Sequence, residues 1–518
     1  MMRVVTPRNL IACAMLALRV CFVLLAWSDW QSLAAVPKHE HPVPENLGSV
    51  QFPTSCSIKV QKSFERAVAL LHSFAYSAAE KEFRDVAAKD PNCAAPHWGV
   101  AMTYFHQLWE PPVAPQNIAR GLAEIEQAKR LSSSDRERGF IDALSLIYVN
   151  VDSVPYEERL NRYTQAMRKL AGRYQDDAEC QIFYALALVA SASPSDASHA
   201  KQKEAAAILE PLFKKYPQHP GIAHYLIHAC DNEEMAQNGL AAARAYSQIA
   251  PSAPHALHMP SHIYTRLGMW EESIASNLAA QKAARHQGDK GEELHAMDYL
   301  VYAYLQLGRD AEAARVLDEL RAMSALDGSD FKVGYAASAM PARYAIERRQ
   351  WSNATQLVPV DEASPQVLAV TLWARTVGLA RSGKPAAARQ EIEKIRRSYE
   401  QLRAAKDDYW ATQVRVQMNE ALAWVAQAEG KADEALKLMR TAADEEDAIE
   451  KRPVTPGAIV PAREQLGDLL LESNHPQVAI KEFEYALTMA PLRRGASMGL
   501  GHAREMIASA EPTKTKSQ

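Results

Sequence analysis

Two prolines, Pro217 and Pro251, stand one 34-residue period apart, and His224 and His228 return at that interval as His258 and His262. A chain that repeats itself at such a period is built from stacked copies of one small unit, each too small to bury its own apolar face. The clearest copy runs from Glu464 to Pro491, with the pair Leu466-Gly467 followed by Ala479, Phe483, Ala486 and Pro491. Small residues at such positions let two antiparallel helices approach closely, and the proline stops the second helix. Tyr76, Ala79, Phe83 and Pro91 repeat the pattern, as do Gly268 with Trp270 and Ala280, Gly308 with Ala311 and Ala314, and Gly430 with Ala435 and Ala442. The register weakens between residues 110 and 200, at Pro111-Pro112 and the polar stretch Ser193–Ser198. At 518 residues the chain exceeds what one ordinary core organises, and an array meets that limit. Abundant Ala, Leu, Glu, Arg and Gln with sparse glycine favour helix.

This pattern resembles the tetratricopeptide repeat family, over residues 58 to 507. The resemblance implies an all-α, right-handed superhelical solenoid of roughly ten helix pairs. It also implies a concave groove lined by the first helix of each pair, whose positions 2, 5, 9 and 12 face inward. Such a groove would hold a protein or peptide partner, or a small-molecule ligand. The segment Ala256–Asn277, with its His-Met-Pro-Ser-His core, is also similar to a group of exported bacterial repeat proteins, which implies no particular activity. A formal net charge of −4 gives no electrostatic footprint for nucleic acid.

The N-terminal residues follow another logic. Arg3 and Arg8 precede apolar runs at Leu10–Leu18 and Val20–Trp27, broken by Arg19, and Ser32-Leu33-Ala34 offers a cleavage site. Residues 1–34 are therefore expected to be a signal peptide of a periplasmic or secreted protein, translated from Met1 or from Met15. The alternative is a single N-terminal membrane anchor; no later segment is long and apolar enough to span a bilayer. Residues 35–57 read as a flexible leader, in which His39 and His41 could bind metal weakly, and residues 508–518 as a disordered tail. Cys56 and Cys93 sit just before predicted helices at adjacent repeat starts, where either a disulfide or two free thiols would fit.

Eight of the sixteen histidines lie between His219 and His295. His224 and His228 take inward positions 5 and 9 of one first helix, and His258 and His262 the same positions of the next. His255 takes position 2 there, His295 position 2 of the following repeat, Asp298 its position 5, and Asp231 falls near position 12 of the first. Histidines at i and i+4 share one helical face and can reach one point. Five histidines, with His295 and the two carboxylates, are thus expected to converge on one wall of the groove. Imidazole and carboxylate suit a transition metal, Zn, Fe, Mn or Cu. Repeat duplication could equally copy a structural histidine bonded to a backbone carbonyl or to Tyr225, Tyr264 or Tyr299. Arg343, Glu464 and Asp468 also take inward positions, where charged side chains dock peptides. His72, His97 and His106, with Trp98 and Trp109, are expected to cap the end of the array.

Two functions follow as expectations. One is an exported scaffold whose groove binds a partner, with a candidate metal site in residues 219–310. The other is a metal-dependent enzyme that uses the His/Asp cluster to activate water or oxygen. No His-Glu-x-x-His sequence, nucleophile elbow or Gly-rich phosphate loop assigns a reaction.

Overall fold

The computed structural model describes residues 46–108, 112–131 and 133–510, so the signal segment, His39, His41 and Trp109 lie outside the described residues. Helix starts are marked locally. Ser134 and Glu137 form a capping box, and the side chains of Asp177, Asp289, Asp330 and Asp407 each accept a backbone N–H of the first turn. Twenty-four helices, from Ile58–His72 to Arg494–Ala510, result, and no strand occurs among the described residues. No described helix is long and apolar enough to cross a membrane.

Successive helices pack as antiparallel pairs, and each first helix also lies against the first helix of the next pair, as Lys290–Gln306 does on Phe331–Glu347. The repeat positions explain how. Phe483 is fully buried between Gly467 and Gly499, and Phe83 lies on Gly99 in the same way. A Cβ added at Gly467 would fall 2.5 Å from the Phe483 ring. Gly467→Ala should therefore destabilise the C-terminal pairs by about 1–3 kcal/mol through overpacking, seen as a lower urea midpoint with an unchanged slope; an unchanged midpoint would show that the ring moves freely. Ala79, Ala280, Ala435, Ala442 and Ala479 are buried as the register expects. In the repeat after Gly308 the buried position is Ala313 rather than Ala311 or Ala314, because the second helix starts at Asp310 and turns its other side inward. The irregular stretch between 110 and 200 continues as helices, with Tyr148 seated on Gly121.

Three features depart from a simple open array. Part of the expected leader is packed: Phe52 is buried, with ring centroids 5.2–5.4 Å from Phe64, Trp98 and Phe140. Cys56 and Cys93 are joined in a disulfide, Cα atoms 5.0 Å apart. By loop length alone such a crosslink contributes about 3–5 kcal/mol.

The last pair also returns to the middle repeats. Gly268, at φ +68°, leaves room for the Pro491 carbonyl, which a Cβ would meet at 2.6 Å. Beside it the fully buried Arg493 binds Glu464 at 2.7 Å, Glu347 at 2.9 Å and the Tyr302 hydroxyl at 3.2 Å.

Finally, residues 448–461 form a strap across the inner face. Glu450 N–H donates to the Pro194 carbonyl at 2.7 Å, and Tyr299 donates to the Thr455 carbonyl at 3.2 Å. Arg343 donates to the carbonyls of Ala458 at 2.7 Å and Ile459 at 3.2 Å.

Candidate metal centre

The helix Pro220–Ala229 carries His224 and His228 one turn apart, and their Nε2 atoms lie 3.1 Å from each other. His255 opens the next first helix and brings its Nε2 to 3.1 Å from that of His224. This repeat is split into Pro254–His258 and Pro260–Arg266, since Pro260 has no N–H to continue the ladder. His258 and His262 span the break, Nε2 to Nε2 at 3.0 Å. From the helix Lys290–Gln306, His295 places its ring, tilted, 4.1 Å from that of His258. The six histidines therefore form two trios, His224/His228/His255 and His258/His262/His295, each with its ring nitrogens within 4.8 Å of one another. Each trio takes an i, i+4 pair from one repeat and one histidine from the first helix of the next. The convergence expected on one wall is thus resolved into two duplicated sites, with all six side chains at most 5% exposed.

The outer nitrogens decide the chemistry. His224 Nδ1 lies 2.6 Å from the His72 carbonyl, so it must carry the proton. His258 Nδ1 lies 2.6 Å from Asn277 Oδ1, and the Asn277 amide nitrogen donates to the Ser273 carbonyl, which fixes its orientation. His262 Nδ1 donates to Asp231 Oδ2 at 2.8 Å, and His255 Nδ1 to Glu292 Oε2 at 3.3 Å. A neutral imidazole protonated at Nδ1 presents a bare lone pair at Nε2. In the second trio the lone pairs of His258 and His262 then face each other at 3.0 Å, and in the first the lone pair of His224 faces His255 Nε2 at 3.1 Å. Two acceptors at that distance repel unless a proton or a cation lies between them. Protonation is opposed: burial holds the His224 and His258 imidazoles well below their ordinary value, and neighbouring imidazoles add to this. Burial also lowers His262, against the pull of Asp231.

In each trio two imidazoles are backed from behind, by a carbonyl and a carboxylate in the first and by an amide oxygen and a carboxylate in the second, which matches the usual surroundings of metal-bound histidine. The pairs His224/His228, His224/His255 and His258/His262, at 3.0–3.1 Å, suit an ion at about 2.0–2.1 Å from both nitrogens, with the other nitrogen separations within 4.8 Å. The residues thus fit a transition metal, and three-histidine sets leave coordination positions open. His228 Nδ1 has no hydrogen-bond partner among the described residues, which leaves its tautomer unfixed by them.

The carboxylates expected as ligands have other places. Asp231 stands behind His262 and is bound by Arg266 and Lys451, each at 2.9 Å; burial alone would raise its carboxyl, but these cations hold it well below the usual range. Asp298 joins neither trio. Burial pushes it up to about 6, its oxygens make no hydrogen bond among the described residues, and Arg343 Nε is 3.9 Å away. Arg343 and Glu464 are not presented to a docked peptide. Arg343 is fully buried against the strap, Glu464 is held by Arg493, and Asp468 pairs with Arg349 at 2.9 Å. Their inward positions are satisfied within the chain.

Several supporting residues escape sequence reasoning. Phe74, held at φ +54°, places its ring 4.4 Å from His224 and 5.3 Å from His255. His72 does more than cap an end. Its Nε2 lies 3.0 Å from Glu179, which also meets His219 at 2.9 Å. Burial would raise the Glu179 carboxyl, but the two imidazoles outweigh it and hold it at about 2. Glu292 joins His255 to Lys332, which donates to it at 2.8 Å. These partners lie far from the histidines in sequence, so no periodicity marks them.

No protein-family model matches the chain, and no curated protein does. Among solved structures it is similar to the Cut9–Hcn1 hetero-tetramer of the APC/C, with 11% identity over 93% of this chain and 82% of that chain, at a TM-score of 0.37. It is similar to human IFIT1, solved as a dimer with m7Gppp-AAAA, with 10% identity over 87% and 100% of the chains and a TM-score of 0.37. The TPR domain of P58(IPK) gives 12% identity over 88% and 99%, with a TM-score of 0.22.

Proposed function

From the premise of a tetratricopeptide-type helical array, we propose that the chain is a metalloprotein whose central repeats hold two transition-metal ions, one in each histidine trio. The observation that carries this is the facing of Nε2 lone pairs whose tautomers are set from behind by the His72 carbonyl, Asn277, Asp231 and Glu292. Imidazole-only donor sets favour Zn, Cu or Fe over Ca or Mg. Ions held by these histidines would supply Lewis acidity or, if redox-active, electron transfer. The chain's own part in such chemistry falls to Tyr299, whose hydroxyl lies 3.5 Å from His262, and to Asp231 behind that imidazole. An exported location accords with the Cys56–Cys93 disulfide and with the signal-like N-terminus.

Elemental mass spectrometry on the untagged protein from its native compartment tests this reading. About two ions per chain are expected. The double variants H224A/H228A and H258A/H262A should each keep the ion of the other trio. A chain that carries no metal and takes up none of Zn²⁺, Fe²⁺ or Cu²⁺ would overturn the proposal and leave a partner-binding scaffold as the account.

A further inference from the structure

Beside the strap, away from the trios, lies a cavity of about 90 Å³, room for several water molecules or a small organic molecule. Aromatic rings form much of its wall: Tyr335, Trp373, Tyr409 and Trp410 line it, and the Tyr409 and Trp410 centroids are 4.9 Å apart. Along the helix Asp408–Ala428, Gln413, Gln417 and Glu420 recur at i, i+4 and i+7, one stripe facing this space. Glu446, from the neighbouring helix Ala432–Asp447, lines it as well.

The polar groups here are incompletely satisfied. Glu420 is 3% exposed; it accepts from Gln465 at 2.7 Å, the Trp373 indole beside it also favours its ionised form, and no cation pairs with it among the described residues. Glu446 accepts the Ala462 N–H at 2.7 Å and likewise forms no ion pair, although Arg463 and Arg493 act on it at longer range and Asp447 opposes them. The two carboxyls disfavour each other's ionisation. Trp373, 1% exposed, has its indole N–H near the Glu420 carboxyl but makes no well-formed hydrogen bond among the described residues, and Gln417 Oε1 is buried without a donor there. The Lys451 ammonium, at the edge of the cavity, is bound by Asp231 on the trio side. Buried polar groups left in this state disfavour the empty cavity. A positive charge over aromatic faces and beside two carboxyls would relieve them together.

We propose that this cavity binds a small organic cation that also bears a hydrogen-bond acceptor, an amino alcohol or a similar amine. Its ammonium group would lie between Glu420, Glu446 and Gln417 Oε1, its chain against the rings, and its acceptor on the Trp373 N–H. The site is independent of metal, so it stands or falls separately from the histidine trios.

The full-length protein provides the test, through tryptophan fluorescence and calorimetry with three matched probes: 4-amino-1-butanol, neutral 1,4-butanediol and anionic 4-hydroxybutyrate. The amine is expected to bind at least tenfold more tightly than the diol, the acid not at all, and binding should release protons and strengthen as pH rises. E420Q, with an unchanged far-UV spectrum, should weaken the amine about tenfold and leave the diol unaffected. Should E420Q misfold, the probe comparison on the unaltered chain still decides. Equal binding of amine and diol, no binding of the amine, or an unaltered amine affinity in a folded E420Q protein would overturn the proposal.

Discussion

Replacing Asp231 by alanine should remove about 3–5 kcal/mol of stability, because it leaves buried cations uncompensated. Lys451 and Arg266 both bind Asp231, and Arg266 also pairs with Glu450 on the strap. Without Asp231, Glu450 alone must offset two cations in a largely enclosed place. Asp231 also fixes the proton on His262 Nδ1, so its loss frees that imidazole to turn or change tautomer. Metal affinity of the second trio should then fall about 10- to 100-fold while that of the first stays within a factor of two. Urea unfolding reports the first effect and metal titration the second. D231N, which retains an acceptor of similar shape, should recover part of the affinity but not the charge balance. Equal losses in both trios would show that Asp231 acts through overall stability alone.

Binding of Zn²⁺ to the metal-stripped chain should raise its stability by about 4 kcal/mol per ion once free metal exceeds the dissociation constant a thousandfold. The same gain should disappear on acidification. Burial holds His224, His228, His258 and His295 well below the ordinary value of 6.5. In the unfolded chain these groups take up protons as pH falls through about 6.5 while the folded chain resists. The unfolded state then binds more protons, and folded stability falls by as much as about 1.4 kcal/mol per pH unit for each such histidine. Protons also compete with metal for the same nitrogens, which acts in the same direction. Unfolding curves at pH 7.5 and 5.5, with and without metal, should therefore converge at the lower pH. Stability that is flat across this window would contradict neutral, buried imidazoles.

The repeat architecture was legible because it depends on local spacing. Phe483 with Gly467, Ala479 and Ala486 marks a helix hairpin wherever it occurs, and proline and aspartate mark its ends. The histidine positions were legible for the same reason, since i, i+4 pairs at a 34-residue period must share a face. The grouping was not. Sequence spacing put six histidines on one wall, whereas the packing of one first helix on the next divides them into two trios. Asp231 and Asp298 have the right residue type and position for ligands, yet charged neighbours hold Asp231 behind His262 and Asp298 stands apart near Arg343.

What the sequence by itself determined is the helical repeat, the inward face, and the residue types concentrated on it, all functions of separations shorter than about one repeat. What only the tertiary structure decided involves partners far apart in the chain: His224 with the His72 carbonyl, His255 with Glu292, Arg343 with the strap at Ala458 and Ile459, and Arg493 with Tyr302. The strap residues 448–461 carry no repeat signature, so nothing in their spacing announces that they cross the inner face. A superhelix brings distant turns together through the accumulated small rotation of each repeat, a quantity set by packing rather than by any single residue.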